Sequence, residues 1–402
     1  MPGWSILVAA LIVGQPAEVP RFDVRAVSGA VGNQPVASIG EGFAVRIQGG
    51  KTLGEKELVS LQSTGAATPA APLVRSVVLT SGDQVKLDAD GMLQFEEETL
   101  RFELPKSLAK AAPISIRATA VSVLWFAPPD QADRPAELRH RVEHSNRKQD
   151  LVGLREGDRV EGSLVSLSAT TATVKAGTRR IEAPVKQMAY VAFNTQWQSK
   201  PKLKRPYAYV VLDDGTRLTL GNLQWKGGNV PVTGRTLWGA EVQFPITRLV
   251  SLLMKQGAAT YLADLEPTTQ SEGYVGITWP LGRNAMPQGG PLVLKGDTID
   301  FGLGAHARTS ATYKLDGGYQ TFEALVGMPA GGDPRARIRF RVFRDGKPAD
   351  GVPDREWSPS DAPMWIRIDV HGVRELTLVA DFGSFGDVEA RGIWGHARLL
   401  RE

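Results

Sequence analysis

The chain has 402 residues, 42% of them hydrophobic, with 47 Lys and Arg against 43 Asp and Glu, and no Cys. That length allows about two to four domains, and the apolar content supports packed cores and excludes wholesale disorder. The absence of cysteine excludes a disulfide framework, a Cys-ligated metal site and a Cys nucleophile.

The 43 glycines and 26 prolines favour many short strands joined by turns over long helices. The excess of base over acid lies before residue 271 and is spread thinly, unlike the concentrated basic face of a nucleic-acid binder. At the N-terminus, Ile6 to Val13 is apolar and is followed by Gly14, Gln15 and Pro16. This is the pattern of a short export signal over residues 1–20, although a basic n-region is missing. A buried strand is the alternative. No stretch reaches the ~18 apolar residues of a membrane-spanning helix. A soluble protein exported to the periplasm or cell surface is therefore expected.

Four β repeats are expected next, at 21–65, 66–127, 151–198 and 199–270. The third is clearest: Arg155 to Leu164 opens it around Gly157-Asp158, Ala172 to Ala176 continues it, and Ile181 to Val185 closes it around Pro184. The fourth has Asp214-Gly215 and ends at Phe244-Pro245-Ile246. The second has Gly82-Asp83 and ends at Leu104-Pro105. A weaker first copy lacks both signals. Alternating side chains give each strand one buried face, and glycine supplies the positive φ of tight hairpins. Proline in the closing segment suits an edge strand. Each unit, of about 40 residues, resembles a small SH3-like barrel and buries little alone, so neighbours are expected to pack together. Such repeats resemble those of exported bacterial proteins that carry a C-terminal sugar-binding-type module.

Residues 128–150 read as a charged helical linker. Leu138 and Val142 mark one face, and Arg139, Arg141, Arg147 and Lys148 make the rest a solvated basic surface. His140 and His144 stand four apart, but Arg141 occupies the position where a zinc-protease motif needs Glu, which argues against a metal site. Lys200, Lys202, Lys204 and Arg205 form a second basic cluster on a loop between repeats.

From 271 to 402 the strands lengthen, as in Arg337 to Phe343, Ile366 to Val370 and Glu375 to Ala380. About 130 residues of such strands suggest a β-sandwich. The blocks Phe301 to Ala307, Thr312 to Tyr319, Phe322 to Gly327, Phe340 to Gly346, Val370 to Leu378 and Trp394 to Leu399 follow one another in an order that resembles the NPCBM/NEW2 domain, a family related to carbohydrate-binding module family 51. The resemblance implies an all-β chain that ends in a galactose-binding-like β-sandwich (jelly roll). It also implies sugar binding of the galactose type in some members and a structural calcium in others.

A sugar site needs an aromatic face for C–H groups and a few planar donors and acceptors. His306 follows Gly302-Leu303-Gly304, which lets backbone come close; its ring either faces a cleft or holds a neighbouring loop. Trp279, Arg283 and Asn284 precede the long strands, where related sequences also carry Trp and Asn. Arg391 and Trp394 precede the last strand; Arg391 suits a bidentate contact to hydroxyls. Core packing is the alternative for both tryptophans. Related sequences have an acid where Ala390 stands, a polar residue where Ile393 stands and often Asp where Met328 stands, which weakens the case for sugar or calcium. Asp381 and Asp387 are the remaining oxygen ligands for calcium, a sparse set.

The expected function is therefore non-catalytic carbohydrate binding at the cell envelope. The alternatives are an envelope scaffold whose module has lost its sugar and an accessory part of a glycoside hydrolase. The first 270 residues show no (β/α)8 pattern, nucleophile elbow or phosphate loop.

Overall fold

The computed structural model describes residues 19–401 except 109–112, 131–133, 202, 204 and 273–275. The apolar run Ile6 to Val13, and with it the export signal, lies outside the described residues, as do Lys202 and Lys204. The described chain is all β, built from antiparallel sheets with one short helix, Pro135–His144. No described helix is long and apolar enough to cross a membrane.

Residues 21–255 form four units. In the fourth, Tyr207–Leu212, Arg217–Gln224, Val232–Thr236 and Glu241–Phe244 pair in sequence, and Leu249–Lys255 returns to pair with the first strand. The third unit repeats this order from Asp150–Leu154 to Met188–Ala192, and the first from Arg21–Ala26 to Leu58–Ser63. In the second, two short strands, Gln84–Lys86 and Leu93–Glu96, stand where the others have one long strand, and Val121–Trp125 closes the unit. The first hairpins of the last three units turn at Gly82, Gly157 and Gly215, all with φ between 82° and 104°. An L side chain rarely adopts that conformation, and this local requirement repeats the signal through the sequence.

The closing strands differ from the sequence expectation. Pro184 and Pro245 cap short 3-10 turns, Val185–Gln187 and Ile246–Arg248, and the true closing strands follow them. Pro105 lies in a connection before Pro113–Arg117, well ahead of the strand that closes its unit. The closing strands are not sheet edges. Val121–Trp125, Met188–Ala192 and Leu249–Lys255 are buried along their whole length. Each lies between the first strand of its own unit and the closing strand of another unit. Leu61 pairs with Leu252, joining units one and four, and Leu124 pairs with Val191, joining units two and three. Burial on both faces replaces alternation with a continuous apolar run, so period-2 reading passes over these strands. One hydrophobic core runs through all four units.

The helix is also less solvated than expected. Leu138 and Val142 pack against Trp125 and Tyr190, and Arg139 and Arg147 are buried. Arg139 donates to Glu143 (2.6 Å), to the Pro72 carbonyl and to Gln84 (3.2 Å). Arg147 donates to the Phe193 (3.0 Å) and Val142 carbonyls. Guanidinium groups that satisfy backbone oxygens in this way are structural.

The C-terminal body starts earlier than residue 271, because Ala259–Tyr261 already pairs with the last strand, Arg391–Leu400. Three residues are too few to show a period. One sheet orders Gly282–Arg283, Gly302–His306, Arg391–Leu400, Thr321–Gly327 and Met364–Asp369; the other orders Thr268–Ser271, Thr309–Lys314, Glu375–Phe382, Ile338–Arg344 and Lys347–Pro348. Their facing side chains, among them Phe322, Phe340 and Trp394, form a separate core that Trp357 joins from a connecting segment. Gly304 is needed on the other face of its sheet, where the Ala285–Leu292 segment packs: a Cβ there would collide with the Ala285 carbonyl oxygen. Gly304→Ala is expected to lower stability by about 1–3 kcal/mol, read from a shifted urea midpoint at unchanged m-value.

The sandwich is docked on the units. Arg217 reaches Asp300 (3.1 Å), the Tyr209 hydroxyl meets the same carboxylate (3.2 Å), and Lys255 reaches Asp264 (2.6 Å). Phe301 packs between the rings of Tyr209 and Tyr261.

Candidate carbohydrate site

Strand register places His306 directly opposite Arg391, at one end of the sandwich. The Trp279 ring stacks on His306 at 5.5 Å between centroids and 28° between planes. His306 Nδ1 lies 2.8 Å from the Ala307 carbonyl. A carbonyl only accepts, so Nδ1 donates this bond and carries a proton. His306 itself is buried, whereas Trp279 and Arg391 are partly exposed. The His306 ring faces no open cleft: it lies buried behind the Trp279 indole and bonds the carbonyl of the next residue.

Arg391 Nη2 contacts Glu389 Oε2 (3.2 Å), which also accepts the Asp333 amide (2.7 Å). Gly332, at φ 87°, makes this approach possible, since a Cβ there would collide with the Glu389 carboxylate. Among the described residues, the remaining guanidinium nitrogens of Arg391 have no partner, so one planar edge can meet vicinal hydroxyls. Exposed Ile277, Phe385 and Val388 lie on the flanking loops. Glu389 and the Gly331-Gly332 loop were not singled out from sequence. The double glycine before Asp333-Pro334 is the local signal that could have marked them.

The other expected site residues are used elsewhere. Arg283 donates to the Ala263 carbonyl (2.9 and 2.7 Å) and to Glu266. Asn284 takes φ 55° and accepts the Gly302 amide (3.1 Å), near the opposite end of the strand that carries His306. Trp394 is 1% exposed and meets Phe340 edge-on, so it is a core residue. Ala390, Ile393 and Met328 are all buried, which accounts for their apolar character. Asp381 sits between Arg308 (3.5 Å) and Arg341 (3.3 Å), an environment suited to an anion and hostile to calcium. The Asp387 carbonyl accepts the Ala390 amide. No cluster of three potential metal ligands occurs among the described residues.

The sequence of this body matches the family model described as NPCBM/NEW2 domain over residues 258–400. Residues 258–400 are an NPCBM/NEW2 domain. The match starts at the short strand Ala259–Tyr261, in line with the topology. Solved structures similar to the chain include three that contain CBM51 modules. CBM51 from Clostridium perfringens GH95, in complex with methyl-galactose, is 25% identical, and the match covers 35% of this chain and 99% of that one, with a TM-score of 0.31. CBM51-2 with the INT domains of Clostridium perfringens ZmpB, in complex with GlcNAc, is 15% identical over 48% and 43%, with a TM-score of 0.31. The tandem CBM51 modules of Sp3GH98, a family 98 glycoside hydrolase from Streptococcus pneumoniae, are 14% identical over 84% and 97%, with a TM-score of 0.31. No curated protein matches the chain. The matched residues 258–400 are the two-sheet body described above, joined to a four-unit β region.

Proposed function

We propose that this chain is a non-catalytic, exported protein that binds carbohydrate at the end of its NPCBM/NEW2 domain. The observation that carries this reading is the Trp279–His306 ring pair next to Arg391. A partly exposed indole offers an apolar face to sugar C–H groups, and the free guanidinium edge offers paired donors to hydroxyls. The domain has a galactose-binding-like jelly roll in this reading, and galactose-type sugars are its first substrates to test. The four units are SH3-like barrels; their five-strand order, and the 3-10 turn before the closing strand in three of them, support that assignment.

A glycan array and calorimetry on the full chain test the proposal. Trp279→Ala and Arg391→Ala are each expected to weaken the captured sugar about tenfold or more, with unchanged unfolding curves. Equal affinity in both variants would move the site. Turnover of chromogenic glycosides by the wild-type chain would overturn the non-catalytic part. One observation favours a second reading, an envelope scaffold: the domain is fixed to the units by the ion pairs Arg217–Asp300 and Arg25–Glu323 and is not tethered on a linker. Absence of any sugar on the array would select it.

A further inference from the structure

A cavity of about 370 Å³ lies where the helix, the second and fourth units and the NPCBM/NEW2 domain meet, well away from the Trp279 end. Its size falls within the roughly 300–1,000 Å³ of small-molecule sites, and junctions between domains are where such sites concentrate. One whole face of the helix lines it: Ala136, Arg139, His140, Glu143 and His144 recur at helical spacing. Tyr207 and Lys255 of the fourth unit, with Asp264 and Phe301 of the domain, complete the walls that matter here.

The charges in this cavity cancel in pairs. Arg139 holds Glu143 (2.6 Å), Lys255 holds Asp264 (2.6 Å) and Arg217 holds Asp300 (3.1 Å). An entering ion would meet no surplus of opposite charge and would still lose its hydration, so the walls favour a neutral ligand. Unpaired polar atoms remain to receive one. Glu143 Oε1 takes both Arg139 and the Trp125 indole N–H, and Asp264 Oδ2 takes Lys255. Among the described residues, the second oxygen of each carboxylate and the Tyr207 hydroxyl have no hydrogen-bond partner. Burial, with a smaller contribution from His144, holds the His140 pKa down at about 4, so its ring is neutral at pH 7 and offers one donor and one acceptor. The ring of Tyr207 supplies an apolar face beside these polar groups. Unpaired acceptors for hydroxyl protons, beside an aromatic ring for C–H groups, suit a molecule that is neutral, compact and hydroxylated.

We propose that this junction cavity is a second saccharide site that takes one neutral pyranose, with Glu143, Asp264 and Tyr207 bonding its hydroxyls and the Tyr207 ring covering a C–H face. The site does not depend on the Trp279 end. Its walls come from segments scattered between Ala70 and Phe301, so an occupant would fasten the helix, the units and the domain to one another.

The test uses the full chain in a Trp279→Ala background, which removes the other proposed site. Binding of methyl galactoside, methyl glucoside and N-acetylglucosamine is read by saturation-transfer NMR and calorimetry. At least one of the three is expected to bind this background. Adding Tyr207→Phe, which removes one oxygen and keeps the ring, is expected to weaken that sugar about three- to tenfold. Adding Ala136→Trp, which fills the cavity from the helix face, is expected to abolish binding. No sugar bound in the Trp279→Ala background, or one bound equally after Tyr207→Phe and after Ala136→Trp, overturns the proposal. Should Ala136→Trp fail to fold, Tyr207→Phe decides alone. Equal binding by wild type and Trp279→Ala, lost on filling the cavity, sinks the Trp279 site and leaves this one standing.

Discussion

Replacing Glu323 by Ala is expected to lower stability by about 3–5 kcal/mol, the usual result of removing one partner from a buried ion pair. Glu323 is 1% exposed in the strand Thr321–Gly327. Its Oε1 accepts Arg398 through two nitrogens (2.8 and 2.5 Å), and its Oε2 faces Arg367 (3.2 Å) and Arg25 (3.6 Å). One carboxylate therefore compensates three guanidinium groups, and Arg398 among them is fully buried. Arg25 comes from the first unit and stacks 3.4 Å above the Trp365 ring of the domain, while Arg367 also donates to the Val27 carbonyl (2.6 Å). The group thus holds the domain and the first unit together. Arg25→Ala leaves Glu323 with two partners and is expected to cost only about 1 kcal/mol. Urea unfolding followed by circular dichroism separates these effects, and a Glu323→Ala loss below about 1 kcal/mol would show that water repairs the gap.

Acid is expected to weaken the fold through two histidines. Burial lowers the His396 pKa to about 3, with Arg398 and Arg25 adding to the effect, and burial lowers that of His140 to about 4. In the unfolded chain both rings gain a proton near pH 6.5. As pH falls below 6.5 the unfolded state takes up protons that the folded state refuses, so stability drops down to the folded values. The buried carboxyl of Asp83 works the other way: burial raises its pKa, so it gains a proton in the fold first and favours the fold as pH falls toward 3.8. The His396 contribution is isolated by His396→Asn, because Asn tolerates the φ of 50° found there. The ring keeps part of its surface exposed, which softens the effect. Between pH 6.5 and 4 the variant is expected to lose about 2–3 kcal/mol less stability than wild type. Parallel stability–pH curves for the two proteins would refute this assignment.

Much of the architecture is legible in the sequence because it rests on local rules. Gly82, Gly157 and Gly215 mark hairpins through a backbone requirement that neighbours do not alter. His306 and Arg391 are far apart in sequence, and only the register of two strands makes them a pair. The side-chain types suggested sugar chemistry, while the placement came from pairing. Arg283, Asn284 and Trp394 have equally suitable types but are consumed by a carbonyl, an amide and the core. The buried closing strands carry no period, and Arg139 and Arg147 look solvated until the carbonyls they satisfy are in view. The junction cavity is illegible for a further reason: Tyr207, His140 and Asp264 belong to segments that meet only once every unit is in place.

The four units are joined like nested brackets, the outer two through Leu61 and Leu252 and the inner two through Leu124 and Val191. Each bracket is closed by a strand whose amides and carbonyls are spent on its mate. A chain trimmed of its last unit would leave the first with a bare apolar ribbon, and bare ribbons recruit strands from other molecules. Length change in this region is therefore tolerable only in mated sets, and a fragment that keeps one half of a bracket should clump where the whole chain stays dispersed.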